Sequence, residues 1–472
     1  MLNLAFTGFF LFLLLAGFKR PFVWLLLYLY VDIVQPQVIT WGFLSHVPVS
    51  LIAFAAAFTG WLLFDRKEDS RFTLRQGLLV LLLLYCGYTT ITAVYPEDAP
   101  EKWGWVWKAL LFAIFMPLTL RTRLRIEAVA LVMVLAASAL VIDGGIKTVG
   151  GGGGYGTLRI FVDSNSGLFE GSIISAVAIS IIPIVVWLAR HGTVFPSDWR
   201  VWTFAVALIF ACSLIPVGTQ ARTGLVCLAV LCMLYLRTAR HRFLIAGSMA
   251  LVAVLALPFL PHSFLKRMNT IENHQSDQSA STRLAMWAWT WDYAKQHPFG
   301  GGFYAYQSAV VKYDTYVART SGSTTMVEAT PVVEKGRAYH SSYFEMLGEQ
   351  GYPGLALWLA LQFSGVVQME LIRRRWKTRT GQNEAWVAPL ANALQLAQIV
   401  YMVGSLFVGI AFQPFILMLI GLQCGLWSYL KRIGNPSRPP VRQGPRRMQV
   451  KPVSDPVPAA KAPFSRKSVS VP

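Results

Sequence analysis

The chain has 472 residues, 55% of them hydrophobic and 14% charged, with a mean hydropathy of +0.49. A soluble globular protein carries roughly 45–50% apolar and about 25% charged residues, so these ions are too few to cover a water-facing surface and a soluble multidomain enzyme is excluded. Lys and Arg number 42 against 23 Asp and Glu, a net charge of +19. On a membrane protein such an excess reports topology, and no nucleic-acid partner is expected.

A helix needs about 20 apolar residues to cross the hydrocarbon core, and somewhat shorter stretches also serve. In chain order the candidate spans are 4–18, 22–34, 47–64, 76–94, 105–119, 125–142, 169–189, 200–217, 222–236, 243–260, 353–371, 386–408 and 411–430. The pattern predicts an all-α polytopic membrane protein with about 12–13 transmembrane helices embedded in a lipid bilayer. The first stretch reads as a span and not as a cleavable signal, because it lacks a basic n-region and a small-residue cleavage site before Lys19-Arg20.

Charge sets the orientation. Connections near 19–20, 65–75, 121–125, 190–200, 237–242 and 373–379 hold 19 Lys and Arg, while the alternate short connections hold Lys102, Lys108, Lys147, Arg159 and Arg222. The positive-inside rule places the richer set in the cytoplasm. The Pro-, Ser- and Arg-rich tail from Lys431 onward adds ten more and reads as a disordered arm near anionic lipid. The expected organisation is a transmembrane bundle over 1–260, a large periplasmic loop over 261–352 with short interfacial helices, C-terminal transmembrane helices over 353–432 and a disordered basic cytoplasmic tail over 433–472.

A loop as long as 261–352 is uncommon unless it has a function or its own structure. One helix is predicted from Ser281 or Thr282 to about Gln296, stopped by His297-Pro298 and by Gly300, Gly301 and Gly302. Trp287 and Trp291 lie one turn apart on it, as suits a helix lying in the membrane interface. A second helix begins at Ser342, whose spacing to Glu345 matches a capping box, and stops at Gly351 before Pro353.

Some patterns carry no chemistry. Gly150 to Gly154 with Gly156 lacks the following Lys-Ser/Thr of a phosphate loop and follows a span instead of a strand, so it reads as a flexible connection. The five cysteines lie inside apolar runs and read as small buried hydrophobes. There is no His-Glu-x-x-His and no Asp-x-Asp pair, so neither a metal site nor a cofactor is expected.

Arg159, Arg222, Arg283, Arg337 and His340 stand on the outer side against the general bias. Arg222, in Val217-Gly-Thr-Gln-Ala-Arg-Thr-Gly224, is flanked by small residues at the mouth of a span. Alone it fits either an arginine reaching for lipid head groups or one facing a partner in a wet cavity; a guanidinium fork suits a phosphate. His340 lies just before a predicted helix N-terminus, which favours the neutral ring. It fits either a local hydrogen-bonding role or that of a base. Together these groups would form a pocket for a lipid-linked diphosphate: the arginines would neutralise the leaving group and the histidine would activate the acceptor.

Short stretches across the chain resemble the O-antigen ligase/polymerase superfamily of bacterial inner-membrane glycan transferases, and within it the O-glycosylation ligases associated with exosortase A systems. They are Gln35 to Phe43, Tyr95 to Ala99, Trp103 to Lys108, Asp143 to Thr148, Arg159 with Asp163-Ser-Asn165, Gly218-Thr-Gln-Ala-Arg222, Arg267 to Ile271, Ser281 to Arg283 with Trp287, Pro298 to Gly302, and His340 through Gly351 with Gly354-Leu355. The resemblance implies a GT-C-type glycosyltransferase that moves a glycan from undecaprenyl diphosphate to a lipid, protein or glycan acceptor at the periplasmic face. It implies that Arg222 binds the diphosphate, that His340 is the catalytic base, and that Arg283 and Arg159 share the pocket. Arg337, Asp163, Asn165 and Glu345 are further pocket candidates. Ala221 replaces a serine usual in the family, and Ser164 interrupts an Asp-Asn-Asn pattern, which weakens a role for Asp163 and Asn165. A polymerase of the same superfamily would need the same clamp and base. A polysaccharide exporter or flippase is disfavoured, because the spans carry almost no ions beyond Asp32.

Overall fold

The computed structural model describes residues 2–65, 67, 70–151, 167–238, 241–244, 246–248, 251, 278–321, 324–379, 381 and 384–433. Its principal helices are α1 (Leu2–Lys19), α2 (Phe22–Val34), α3 (Pro36–Ile39), α4 (Val49–Thr59), α5 (Leu74–Ile91), α6 (Ala99–Thr119), α7 (Arg123–Gly151), α8 (Gly171–His191), α9 (Trp199–Gly218), α10 (Arg222–Thr238) and α11 (Gln278–Gln296). A hairpin of β1 (Val310–Ser321) and β2 (Thr324–Lys335) follows, then α12 (Ser342–Trp376), α13 (Val387–Gly404) and α14 (Pro414–Ile433). Among the described residues seven helices are long and apolar enough to cross a membrane, and three more are apolar but shorter. The chain is a multi-pass helical membrane protein. Every expected span falls on a helix except 243–260, of which only 243, 244, 246–248 and 251 are described.

Local chemistry sets the helix ends. Thr73 and Gln76 close a reciprocal capping box at the start of α5, which satisfies two otherwise orphaned N–H groups. Glu170 caps α8 by accepting from the Ile173 N–H at 2.7 Å. α8 and α14 are the most enclosed helices, and small residues let their neighbours approach. Gly404 of α13 meets Ala176 of α8, and Gly145 of α7 meets Ala211 of α9.

The bundle holds more polar groups than Asp32 alone. Ser50 donates to Asp32 at 2.9 Å, and Lys108 donates to Ser50 at 3.0 Å. Arg75 is 3% exposed, packed inside the bundle instead of in a cytoplasmic connection, and donates to Gln368 and to the Leu361 carbonyl. Gln398 donates to Gln362 at 2.8 Å, and Gln423 donates to Gln398 at 3.0 Å, joining α12, α13 and α14. Such pairs are retained because an unbonded polar group in hydrocarbon is costly.

The stretch 261–352 departs from the expectation of short interfacial helices alone. α11 forms as predicted, but a two-stranded antiparallel hairpin pairs Val310 with Lys335 through Ser321 with Thr324. The segment after it is buried: α12 starts at Ser342 and runs to Trp376, broken only at Gly351, where φ is 63°. The capping box at Ser342 does not form, since Ser341 is the N-cap and makes no side-chain cap bond. The Ser342 hydroxyl instead donates to the Val408 carbonyl and accepts from the Ile410 N–H, both at 2.9 Å. That pairing wins because Ser342 is fully buried under residues 405–411, where its hydroxyl must be satisfied by whatever packs on it.

Candidate active site

The kink at Gly351 builds the site. Pro353 has no N–H, so the Glu349 carbonyl four residues earlier loses its helical donor. Gly302 N–H takes that place at 2.9 Å, and Gly301 N–H donates to the Gly348 carbonyl at 3.0 Å. Tyr352 N–H turns outward to the Pro298 carbonyl at 2.9 Å. Only glycines allow this approach: a Cβ at Gly300, where φ is +90°, would lie 2.5 Å from the Glu349 carbonyl oxygen. The residues that stop α11 therefore also cradle the break in α12.

Beside the kink sits a buried ion triad. Lys102 of α6 donates to Glu345 and to Glu349 at 2.7 Å each. The second oxygen of Glu345 accepts from Ala411 N–H at 3.2 Å, and that of Glu349 accepts from Tyr304 N–H at 3.2 Å. The rings of Phe303 and Phe412 flank the ammonium at 5.3 and 5.8 Å. Glu345 thus faces α6 and the 409–411 turn, tying the first turns of α12 to two other segments. Lys102 and Glu349 were not singled out from the sequence, although two carboxylates four residues apart share a helix face and require a cation there.

His340 lies at the head of this anchored segment with φ of 50°, a left-handed conformation that histidine, like asparagine and aspartate, adopts more readily than other non-glycine residues. Burial, then the positive charges of Arg283 and Arg337, push its pKa down to about 4, with Glu334 opposing. The ring is neutral at physiological pH, chiefly because it is half-buried beside arginines, not because of the helix terminus. Arg337 is held by two 2.8 Å bonds to Glu334. Trp287 of α11 stacks on Phe344 with centroids 5.0 Å apart, and its indole N–H donates to the Tyr339 carbonyl at 2.9 Å. Trp287 is therefore an inward-facing prop for His340, whereas Trp291 is 51% exposed.

Arg222 opens α10 at the same end of the bundle. Ser342 N–H donates to the Ser405 carbonyl at 2.8 Å, and the adjacent Gly404 packs on Cys227 of α10. The loop before Arg222 is fixed by Gln220 at φ of 52° and by a 3.0 Å bond between Thr219 and Ser175. The structure thus brings Arg283, Arg337 and His340 within electrostatic reach and sets Arg222 on the neighbouring helix start. Arg159, Asp163 and Asn165 lie outside the described residues. No group of three or more His, Cys, Asp or Glu is placed to hold a metal ion among the described residues.

The described residues thus form a helical multi-pass membrane protein with a neutral histidine among arginines at one end of its bundle. Residues 204–359 match the O-antigen ligase family (Wzy_C), a stretch that contains Arg222, Arg283, Arg337, His340 and the two triad glutamates. Residues 1–193, which include Lys102, match a family of unknown function, DUF5935. No curated protein matches the chain. The match to O-antigen ligases supports a glycosyltransferase-like enzyme of the glycan ligase or polymerase type, a family that implies lipid-linked glycan substrates and a membrane environment.

Proposed function

We propose that this protein is a glycan ligase of the bacterial inner membrane, transferring a saccharide from undecaprenyl diphosphate to an acceptor at the periplasmic face. The observation that carries this reading is the neutral, half-buried His340 beside Arg283 and Arg337, within the segment that matches O-antigen ligases. His340 takes the proton from an acceptor hydroxyl or amine as that atom bonds to the anomeric carbon. The bond from this carbon to the phosphate oxygen breaks, and the electron pair leaves with the diphosphate. Arg222 and Arg283, with Arg159, receive the charge that develops there, so the step needs no metal. A single displacement of this kind inverts the anomeric configuration. Asp163 and Asn165 are candidate contacts to the sugar or acceptor, and Arg337 lies at the pocket rim.

The test uses purified protein with an undecaprenyl-diphosphate-linked glycan. His340→Ala abolishes transfer and leaves donor binding intact; retained turnover would remove the base assignment. Arg222→Ala weakens donor binding. Activity lost in EDTA and restored by a divalent ion would contradict the metal-free step. Mass spectrometry of the product separates ligase from polymerase, since a polymerase extends one lipid-linked glycan with another. The resemblance to exosortase-associated ligases further predicts an exosortase gene nearby.

A further inference from the structure

At the opposite end of the bundle from His340, α10, α12 and α13 enclose a cavity of about 270 Å³. Its mouth is basic: Arg237 closes α10, and Arg373 and Arg374 lie in the last turn of α12. Arg373 and Arg374 share one carboxylate, Glu370, at 2.6 to 2.8 Å, so one negative charge faces three arginines. Arg237 has no carboxylate partner among the described residues, and no shared Asp or Glu lines the cavity besides Glu370. Deeper in, Leu234, Val366, Leu396 and Ile399 continue the wall as apolar surface. Asn392 and Gln395 add two neutral polar groups on α13, and Gln395 donates to the Val366 carbonyl at 3.0 Å.

We propose that this cavity binds the head group of an anionic phospholipid, with an acyl chain running along Leu234, Val366, Leu396 and Ile399. Charge and shape decide the occupant. Guanidinium forks recognise phosphate oxygens well, and basic pockets between transmembrane helices are suited to anionic head groups. A soluble phosphate would satisfy the arginines but would leave the apolar wall uncovered. The volume is below the roughly 300–1,000 Å³ of a site that encloses a drug-sized ligand, so it holds a head group while the chains extend into the bilayer. The site stands apart from the proposed transfer chemistry and does not depend on it.

The test uses the full chain, purified and delipidated, with thermal unfolding followed after adding phosphatidylglycerol, phosphatidylcholine or inorganic phosphate. Phosphatidylglycerol raises the midpoint by roughly 2–4 °C; phosphatidylcholine and phosphate do not. Arg237→Ser with Arg374→Ser removes the shift, while Arg375→Ser, which deletes an exposed charge outside the cavity, keeps it. Asn392→Asp, which places a negative charge in the wall without deleting an arginine, also removes the shift and serves if the double variant fails to fold. An equal rise with phosphatidylcholine or phosphate, or a shift that survives both pocket variants, overturns the proposal.

Discussion

Lys102 Nζ lies 2.7 Å from a carboxylate oxygen of Glu349, across 247 residues of chain, and the same distance from Glu345. One cation therefore holds two buried carboxylates on consecutive turns of the helix that His340 introduces. Removing one member of a buried ion cluster costs about 3–5 kcal/mol, mostly by stranding the other charge. Lys102→Met is expected to lower stability by that amount in denaturant or thermal unfolding. Adding Glu345→Gln and Glu349→Gln to it should recover much of the loss, because no buried charge then remains. A triple variant as unstable as the single one would show that packing, not charge, dominates.

Acid should act through His340. Its folded pKa of about 4 lies below the ordinary value near 6.5, so the unfolded chain takes up the proton first. The stability it contributes is complete above about pH 6.5 and is lost as pH falls towards 4. The free enzyme keeps its base neutral down to the same limit, so kcat/KM should be level above about pH 5 and fall below 4. A bound diphosphate adds negative charge and raises the apparent pKa in kcat above that in kcat/KM. Coincident acid limbs in the two profiles would count against a diphosphate beside His340.

Glycine is required where α12 breaks. Gly351 has φ of +63°, and a Cβ there would run into the Pro298 carbonyl. Gly351→Ala combines a left-handed penalty of about 1–2 kcal/mol with overpacking of about 1–3 kcal/mol. Gly300→Ala meets the same two costs. Both variants should unfold at lower denaturant and lose transfer activity, whereas Gly381→Ala, in open space, should do neither.

Trp287 supports His340 from the side. Trp287→Ala removes the Phe344 stack and the donor to the Tyr339 carbonyl. A displacement of about 1 Å in a reacting group can cost about 100-fold in rate. The expected result is a fall in kcat of roughly 10- to 100-fold with little change in donor affinity. Trp287→Phe keeps the stack and should fall between the two.

The spans were legible because the bilayer imposes one length on any apolar helix. The end of α11 and the break at Gly351 were legible because proline and glycine act locally. The hairpin was missed, although Val311, Tyr313, Thr315 and Val317 repeat with the period of a strand. Lys102 was counted only as a loop charge, since its partners are more than 240 residues away. Ser342 shows the reverse failure: the local spacing of a capping box was correct, but residues 408 and 410, remote in sequence, claimed its hydroxyl.

The break in α12 also separates two mechanical duties. Below Gly351 the helix is a membrane span bonded sideways to its neighbours, through Arg75 to Gln368 and through Gln398 to Gln362. Above it, the turns carrying Glu345 and Glu349 are pinned to α6, to the Pro298–Gly302 stretch and to the 405–411 turn. One helix thus carries two separate sets of ties, one inside the bundle and one that fixes the turns next to His340.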